Sequence, residues 1–271
     1  MKLIEAISIL KDAGIENARG EARELFAHYG APRAMLVDTG YELDSPDISE
    51  AICKRAEGEP LQYIIGEVGF FREIYRVTPE VLIPRADTEL LVEYAVGRLK
   101  KGDRILDLCT GSGCVAISTL ANSDSTTALA VDISEGALTI AKENAERNGV
   151  LDRLTLQRRD LLTEDIGREG KFDAILSNPP YIPTEVYKGL SPEIFKEPRI
   201  AFDGGEDGSI FYRRLIPLAL ERLAEGGFIA MEIGLDQGEL LARLAGENGC
   251  RCEILRDIES RDRVAVLTPK N

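Results

Sequence analysis

Hydrophobic positions along this chain keep two rhythms. Over the first quarter they recur every three to four residues, the spacing that gathers them on one face of a helix. In "LIEAISILKDAG", Leu3, Ile4, Ile7 and Leu10 share such a face, and Gly14 stands where the helix should stop. "NARGEARELFAHYG" repeats the pattern and ends at Gly30, and "APRAMLVDTG" predicts a shorter third helix. In "SPDISEAICKRAEGEP", Ser45 is placed as N-cap, Pro46 at the first helical position and Gly58 near the end. An N-terminal helical bundle is expected.

The texture changes at Gly66. "GEVGFFREIYRVTPEVLIPR" mixes aromatic and β-branched residues with Gly and Pro, which predicts a β-hairpin or extended linker. "TELLVEYAVGRLK" returns to helix. From residue 103, short apolar runs alternate with amphipathic stretches. "RILDLC", "TTALAVD", "LTLQRRD", "FDAILSN" and "GFIAMEI" predict strands, and "GCVAISTLA", "SEGALTIAKENAERNG", "SIFYRRLIPLALERLAEGG" and "DQGELLARLAGENG" predict helices. Two further strands, "CRCEILRDI" and "RVAVLTP", are joined by the short turn "ESRD". Alternation of this kind implies a parallel sheet covered on both faces, with an antiparallel edge from the closing pair. The expected fold class is therefore α/β, a doubly wound and mostly parallel seven-stranded sheet with an N-terminal helical-bundle domain and a β-hairpin linker. The expected boundaries are a helical domain over 1–75, a hairpin and helix linker over 76–102, and the sheet domain over 103–271.

Composition removes several function classes. No run approaches the ~20 apolar residues that span a bilayer. The amphipathic N-terminus, with acidic residues inside it, is unlike a signal peptide, so a cytoplasmic protein is expected. A formal net charge of −14 opposes a general grip on a phosphate backbone, and no direct nucleic-acid contact is expected. The five cysteines (Cys53, Cys109, Cys114, Cys250, Cys252) form no CxxC pair, and His28 is remote from every motif. Neither a structural zinc site nor histidine-based acid–base chemistry is expected.

Two motifs carry candidate chemistry. "DLCTGSGCVA" places Gly111 and Gly113 between a strand and a helix, with Ala116 as the third small residue of a G-x-G-x-x-A fingerprint. Asp132 closes the next strand, 19 residues after Gly113, where a carboxylate can accept the hydroxyls of a ribose. The fingerprint suits a dinucleotide or S-adenosyl-L-methionine. Asp107, at the end of the first strand, favours the latter, because an acid there suits a cationic ligand. Asp160, in "RRDLL", could accept from an adenine amino group, with Leu161 covering the ring.

The second motif is "SNPPYIP". Asn178 ends the fourth strand, and two prolines stiffen the backbone just beyond it. The Asn178 amide and the Pro179 carbonyl offer two acceptors on a rigid frame, which suits an NH2 group with its two donors. A planar NH2 has its lone pair delocalised, and the ~18–20 kcal/mol rotation barrier of an amide measures how strongly. Methylating it requires aim and fixed dipoles before it requires a base. Tyr181 is expected to pack on the flat group and exclude water.

These residues resemble the N-P-P-Y class of S-adenosylmethionine-dependent methyltransferases. Together with "GEPLQYIIGEVGF" (Gly58 to Phe70), "TPEVLIPRADTELLVE" (Thr78 to Glu93) and "EPRIAFDGGEDGSIFYRRL" (Glu197 to Leu215), they look like the release-factor glutamine methyltransferases, the HemK-type proteins. The resemblance implies methyl transfer from S-adenosyl-L-methionine to the glutamine amide of the Gly-Gly-Gln motif in class 1 peptide chain release factors. It implies that Cys109, Thr110, Gly111, Ser112 and Gly113 line the methionine end of the cofactor and that Asp132 holds the ribose. Asp160 and Leu161 would flank the adenine, and Asn178, Pro179, Pro180 and Tyr181 would bind the glutamine. By the same resemblance the enzyme is a monomer whose helical domain docks the release factor.

Three other readings compete. Adenine N6 is also a planar NH2, so the corner fits a nucleic-acid methyltransferase equally well, and the acidic balance counts against it. An NAD(P)-dependent oxidoreductase would share the glycine loop but lacks a proton donor such as a cleft histidine. A non-enzymatic, translation-associated binding protein would leave the glycine loop without a use.

Overall fold

The structure is a computed structural model that describes residues 1–124, 126–167 and 169–270. Two compact units divide the chain. One comprises Met1–Glu67 with Ser191–Lys196, and the other comprises Val68–Leu190 with Glu197–Asn271.

The first unit is built on helices Leu3–Asp12, Ala18–His28 and Pro46–Ala56, with a short helix Leu61–Ile65. The first helix buries Leu3, Ala6 and Leu10, while Ile4, expected on the same face, is half exposed. Asn17 caps the second helix by accepting from Gly20 N at 3.3 Å, whereas Ser45 makes no such side-chain bond. The third predicted helix is only a 3₁₀ turn, Arg33–Val37. Pro32 opens that turn, and Asp38 folds back onto Gly40 N at 2.8 Å, so nothing propagates beyond five residues. Leu25, Phe26, Ile48 and Ile52 form a dry centre. Arg55 is buried, and its guanidinium donates to Glu21 at 2.5 Å and to Glu193 at 3.1 Å. A buried charge needs such partners, and these two draw residues 191–196 into the unit.

The boundary falls at Glu67, not at residue 75 as the texture suggested. Strands β1 (Glu67–Phe70) and β2 (Glu73–Arg76) form the predicted hairpin. Its Phe70 and Tyr75 are buried in the core of the second unit, with Leu91, Val92, Val115 and Ile117. The Tyr75 hydroxyl lies 2.6 Å from Ser118 Oγ. Glu89 Oε1 accepts from Phe71 N at 2.9 Å, at a turn where φ is +56°.

The second unit carries β3 (Arg104–Leu108), β4 (Thr127–Asp132), β5 (Leu154–Arg158), β6 (Phe172–Ser177), β7 (Leu223–Glu232), β8 (Cys250–Arg256) and β9 (Asp262–Pro269). They form one seven-stranded sheet in the order β5-β4-β3-β6-β7-β9-β8. The pairs from β5 to β7 are parallel, and β9 runs antiparallel between β7 and β8. Side chains alternate across the sheet, so Leu106, Leu129 and Ile175 pack under Leu215 and Leu241. Ile105, Ala130 and Leu176 face the other way, towards Leu91 and Val115.

Strand β7 starts earlier than the pattern predicts. Helix Ile210–Arg222 stops before "LAEGG", and pairing with β6 jumps from Phe172–Leu223 to Ala174–Phe228. Gly226 at φ +78° turns the bulge, and Gly227 lies so close to the Asp173 carbonyl that a Cβ would stand 2.7 Å from it. Among the described residues, no helix is long and apolar enough to cross a membrane.

Tyr75→Phe removes the hydroxyl that ties the hairpin to helix Cys114–Ala121. The change should cost about 1–2 kcal/mol, seen as a lower urea midpoint at unchanged slope. An unmoved midpoint would show that this bond contributes nothing.

Candidate active site

A cleft of about 550 Å³ opens outside the carboxyl ends of β3, β4 and β6, within the second unit. It lies where the strand order reverses, between β3 and β6, and its size is that of a small-ligand site.

The loop after β3 forms one wall. Cys109 adopts φ +62°, rare for a residue with a side chain and worth about 1–2 kcal/mol of strain. The next turn is held from both sides by carboxylates. Asp107 Oδ2 accepts from Thr110 Oγ1 at 2.6 Å and from Ala116 N at 3.2 Å. Asp132 Oδ2 accepts from Gly111 N at 2.8 Å, and its Oδ1 accepts from Ser134 N at 2.9 Å. Gly111 sits at φ +55°, and a Cβ there would meet no protein atom, so the wall is open at that point. Gly113 has a different duty. At φ +83° it ends the turn, and a Cβ would stand 2.7 Å from Ile117 Cδ1.

Burial shapes the acids. Asp107 is buried beneath the loop and does not line the cleft. Desolvation pushes its carboxyl up to about 7 against the pull of Thr110 and the Ala116 amide. The expected contact with a cationic ligand is thus replaced by a clamp on the loop, although Asp107 Oδ1 has no hydrogen-bond partner among the described residues. Asp132 does reach the cleft. Burial raises its affinity for a proton, and the Ser134 and Gly111 amides oppose that. A carboxylate has about four lone-pair sites, so not all are taken by these amides and one remains for a ligand. Burial also pushes the Cys114 thiol up to about 12 and that of Cys109 well above its usual value, so both stay protonated.

Asp160 lies two residues beyond β5 and lines the cleft. Its carboxylate caps its own turn, accepting from Leu162 N at 3.0 Å and Thr163 Oγ1 at 2.8 Å. Leu161 is buried in the core and shows an edge to the cleft.

Asn178 comes directly after the last residue of β6. Asn178 and Pro180 line the cleft, but Pro179 and Tyr181 do not. The Asn178 amide donates through Nδ2 to Thr88 Oγ1 at 3.1 Å. That engages one of the two N–H groups of its nitrogen, and no hydrogen bond to Oδ1 is made among the described residues. The Pro179 carbonyl accepts no backbone hydrogen bond among the described residues. Tyr181 departs from the expectation. Its ring packs against the core and its hydroxyl donates to Glu232 Oε1 at 3.2 Å, so it cannot lie on a flat group in the cleft.

The comparisons agree on what this cleft belongs to. Residues 2–66 match the family model of the PrmC N-terminal domain, and residues 86–206 match that of the methyltransferase small domain. A release factor glutamine methyltransferase of Geobacter sulfurreducens is 40% identical over 94% of this chain and 91% of its own length. One from Moorella thermoacetica is 41% identical over 96% and 94%. The chain belongs to the release factor glutamine methyltransferase family. It is an S-adenosyl-L-methionine-dependent methyltransferase. The fold extends further: the hMettl16 catalytic domain, solved in complex with MAT2A 3′UTR hairpin 6, superposes with a TM-score of 0.58. At 16% identity, over 84% of this chain and 83% of that one, this likeness is one of fold.

Membership gives the remaining motifs a physical meaning. The "LIPRADTE" stretch supplies Thr88, the partner of Asn178, which the sequence alone did not single out. Arg85 pairs with the buried Glu197, which also accepts from Ile83 N at 2.9 Å. Glu89 holds the hairpin turn rather than any ligand. The "FDGG" stretch backs the corner: Ile182 N donates to Phe202 O at 2.9 Å, and Gly204 N donates to Ile182 O at 2.8 Å. A Cβ on Gly204 would stand 2.8 Å from Tyr181 Cα and 2.9 Å from the Pro180 carbonyl.

Gly204→Ala should therefore displace Pro180 and Tyr181. About 1–3 kcal/mol of overpacking is expected, with turnover falling at least about tenfold. Thermal unfolding and initial rates check this, and parent-like values for both would show that the corner can move aside.

Proposed function

We propose that this enzyme methylates the side-chain amide nitrogen of the glutamine in the Gly-Gly-Gln motif of class 1 peptide chain release factors, aiding translation termination. The observation that carries this reading is the Asn178 amide in the cleft wall, its nitrogen bonded to Thr88 and its oxygen without a hydrogen-bond partner among the described residues. The names of the curated relatives support the choice of substrate.

The cleft suits the cofactor chemically. Gly111 leaves open space at the wall, Asp132 keeps a free lone pair, and the cleft volume matches a small molecule. S-adenosyl-L-methionine, when bound, supplies the electrophilic methyl group. In this reading Cys109, Thr110, Gly111, Ser112 and Gly113 shape the methionine end. Asp132 receives the ribose hydroxyls, and Asp160 and Leu161 border the adenine.

The protein's own work is positioning. In this reading Asn178 Oδ1 accepts one N–H bond of the glutamine amide, and the Pro179 carbonyl, outside the cleft lining but claimed by no backbone amide among the described residues, accepts the other, with Pro180 keeping them in register. Two fixed acceptors aim the nitrogen and meet the positive charge that grows on it as the new N–C bond forms. Tyr181 serves from behind, through Glu232. The amide proton is lost after transfer, when the nitrogen has become acidic, so no strong base is required.

The first unit is proposed to dock the release factor. Ile4, Met35 and Val37 are large apolar side chains exposed on it. Further parts of this reading are a monomeric enzyme, a cytoplasmic location, and no direct nucleic-acid contact. The net charge of −14 favours a protein substrate over adenine in DNA or RNA.

Methyl-labelled S-adenosyl-L-methionine should label a purified release factor and leave unlabelled both DNA and a factor whose loop glutamine is replaced. Label on either of those would sink the reading. Asn178→Ala should cut turnover by at least about 10²-fold while cofactor affinity changes little. Loss of cofactor binding instead would make Asn178 chiefly a cofactor ligand. Ile4→Asp with Val37→Asp should raise KM for the intact factor and leave a short Gly-Gly-Gln peptide unaffected. Equal KM for the factor would remove the docking role.

A further inference from the structure

The prolines that stiffen the corner also strip it of donors. Pro179 and Pro180 have no N–H, so no backbone donor of theirs can anchor the turn. One anchor comes from a residue outside every motif. Gln237 stands immediately before helix Gly238–Glu247, at the position where a side chain commonly caps the first turn. It makes no such bond and turns back towards the corner instead.

Both ends of its amide are engaged. Oε1 accepts from Gly234 N at 2.9 Å and from the Tyr212 hydroxyl at 3.0 Å. Nε2 donates to the Tyr181 carbonyl at 3.0 Å and to the Gly208 carbonyl at 3.4 Å. A backbone N–H can only donate and a backbone carbonyl can only accept, so the amide has one workable orientation. It ties the corner to the loop at Gly208, to helix Ile210–Arg222 and to the chain just beyond β7.

The Tyr181 carbonyl is also confined by Gly208, which sits at φ +71° and where a Cβ would collide with that oxygen. The same peptide plane is held through its N–H, because Ile182 N donates to Phe202 O at 2.9 Å. A planar peptide held at both its carbonyl and its N–H has lost its freedom to rotate. Between this plane and the one carrying the Pro179 carbonyl lie only the torsions of Pro180 and Tyr181, and the Pro180 ring locks one of them.

We propose that Gln237 is a positioning residue for methyl transfer, its side-chain amide pinning the peptide after Tyr181 and thereby fixing where the Pro179 carbonyl and the Asn178 amide point. The inference rests on those two groups being the seat of the glutamine amide. Gln237 lies outside the cleft lining, so it acts through the corner. It removes a rotation and contacts no reacting atom. Acceptors that are already aimed gain fully from the positive charge growing on the substrate nitrogen, whereas acceptors free to swing lose part of that gain to reordering. A neutral amide in the ground state rewards aim less. The clamp therefore acts on kcat more than on KM.

Gln237→Glu keeps the size of the side chain and the acceptor that meets Gly234 and Tyr212, but turns a second acceptor towards the Tyr181 and Gly208 carbonyls. Initial rates with methyl-labelled S-adenosyl-L-methionine and release factor should show kcat lowered by at least about tenfold, with KM for the factor and equilibrium cofactor affinity within about twofold of the parent. Gln237→Met, of similar length and without a donor, should behave alike, and if one variant does not fold the other decides. A merely structural defect would add to any other. In an Asn178→Ala background the seat is already lost, so adding Gln237→Glu should change kcat by less than about threefold. Parent kcat in either single variant, a larger further loss in the double variant, or loss of folding or of cofactor binding in both single variants would each overturn the clamp. Collapse of Asn178→Ala beside parent kcat in Gln237→Glu rejects the clamp alone, and full activity of Asn178→Ala rejects the underlying reading.

Discussion

Parallel hydrogen bonding of β3 to β4 on one side and to β6 on the other sends three strand ends to the same edge of the sheet. Asp107 stands beside Ala130 and Leu176 in that register, and Ser177 Oγ donates to the Leu108 carbonyl at 2.7 Å. The glycine loop and the proline corner lie about seventy residues apart in sequence yet open on one cleft. Alternating faces then leave each strand end only one way to project its last polar residue.

Three acids crowd this edge, and each is managed differently. Asp132 is anchored by two backbone amides, Asp107 by a hydroxyl and an amide, and Glu232 by a phenol. Burying such groups is costly unless partners replace the lost water. The partners here are short-range and belong to rigid turns, so the dipoles that face the cleft are set before any ligand arrives. The acidity of the whole surface is a separate matter, acting on encounter and not on this local order.

Much of the fold was legible in the sequence because periodicity is a local property. The seven strands and the helices between them arise from runs of residues such as Ile105, Leu106 and Leu108, whose burial is dictated by spacing. The short 3₁₀ turn at Arg33 was not, because apolar spacing alone cannot show that an Asp38 side chain will close the turn. In the site, Gly111, Asp132 and Asn178 were visible from their positions at strand ends. Thr88 was not, since its partner is ninety residues away, and Glu232 read only as the end of an apolar strand. Tyr181 was assigned to the wrong side, because a stiff backbone fixes a side chain's origin without fixing its direction.

The short segment Ser191–Lys196 belongs to the first unit although the chain on both sides of it belongs to the second. Arg55 holds Glu193, and Lys196 lies 3.7 Å from Glu59. As the nascent chain emerges, the helices of the first unit appear early, but one carboxylate for their buried arginine comes only after most of the sheet has been synthesised. Domain exchange between relatives that cuts at residue 67 alone would transplant an arginine without its second acid. A chimera that carries residues 191–196 along with the helices would keep the pair together.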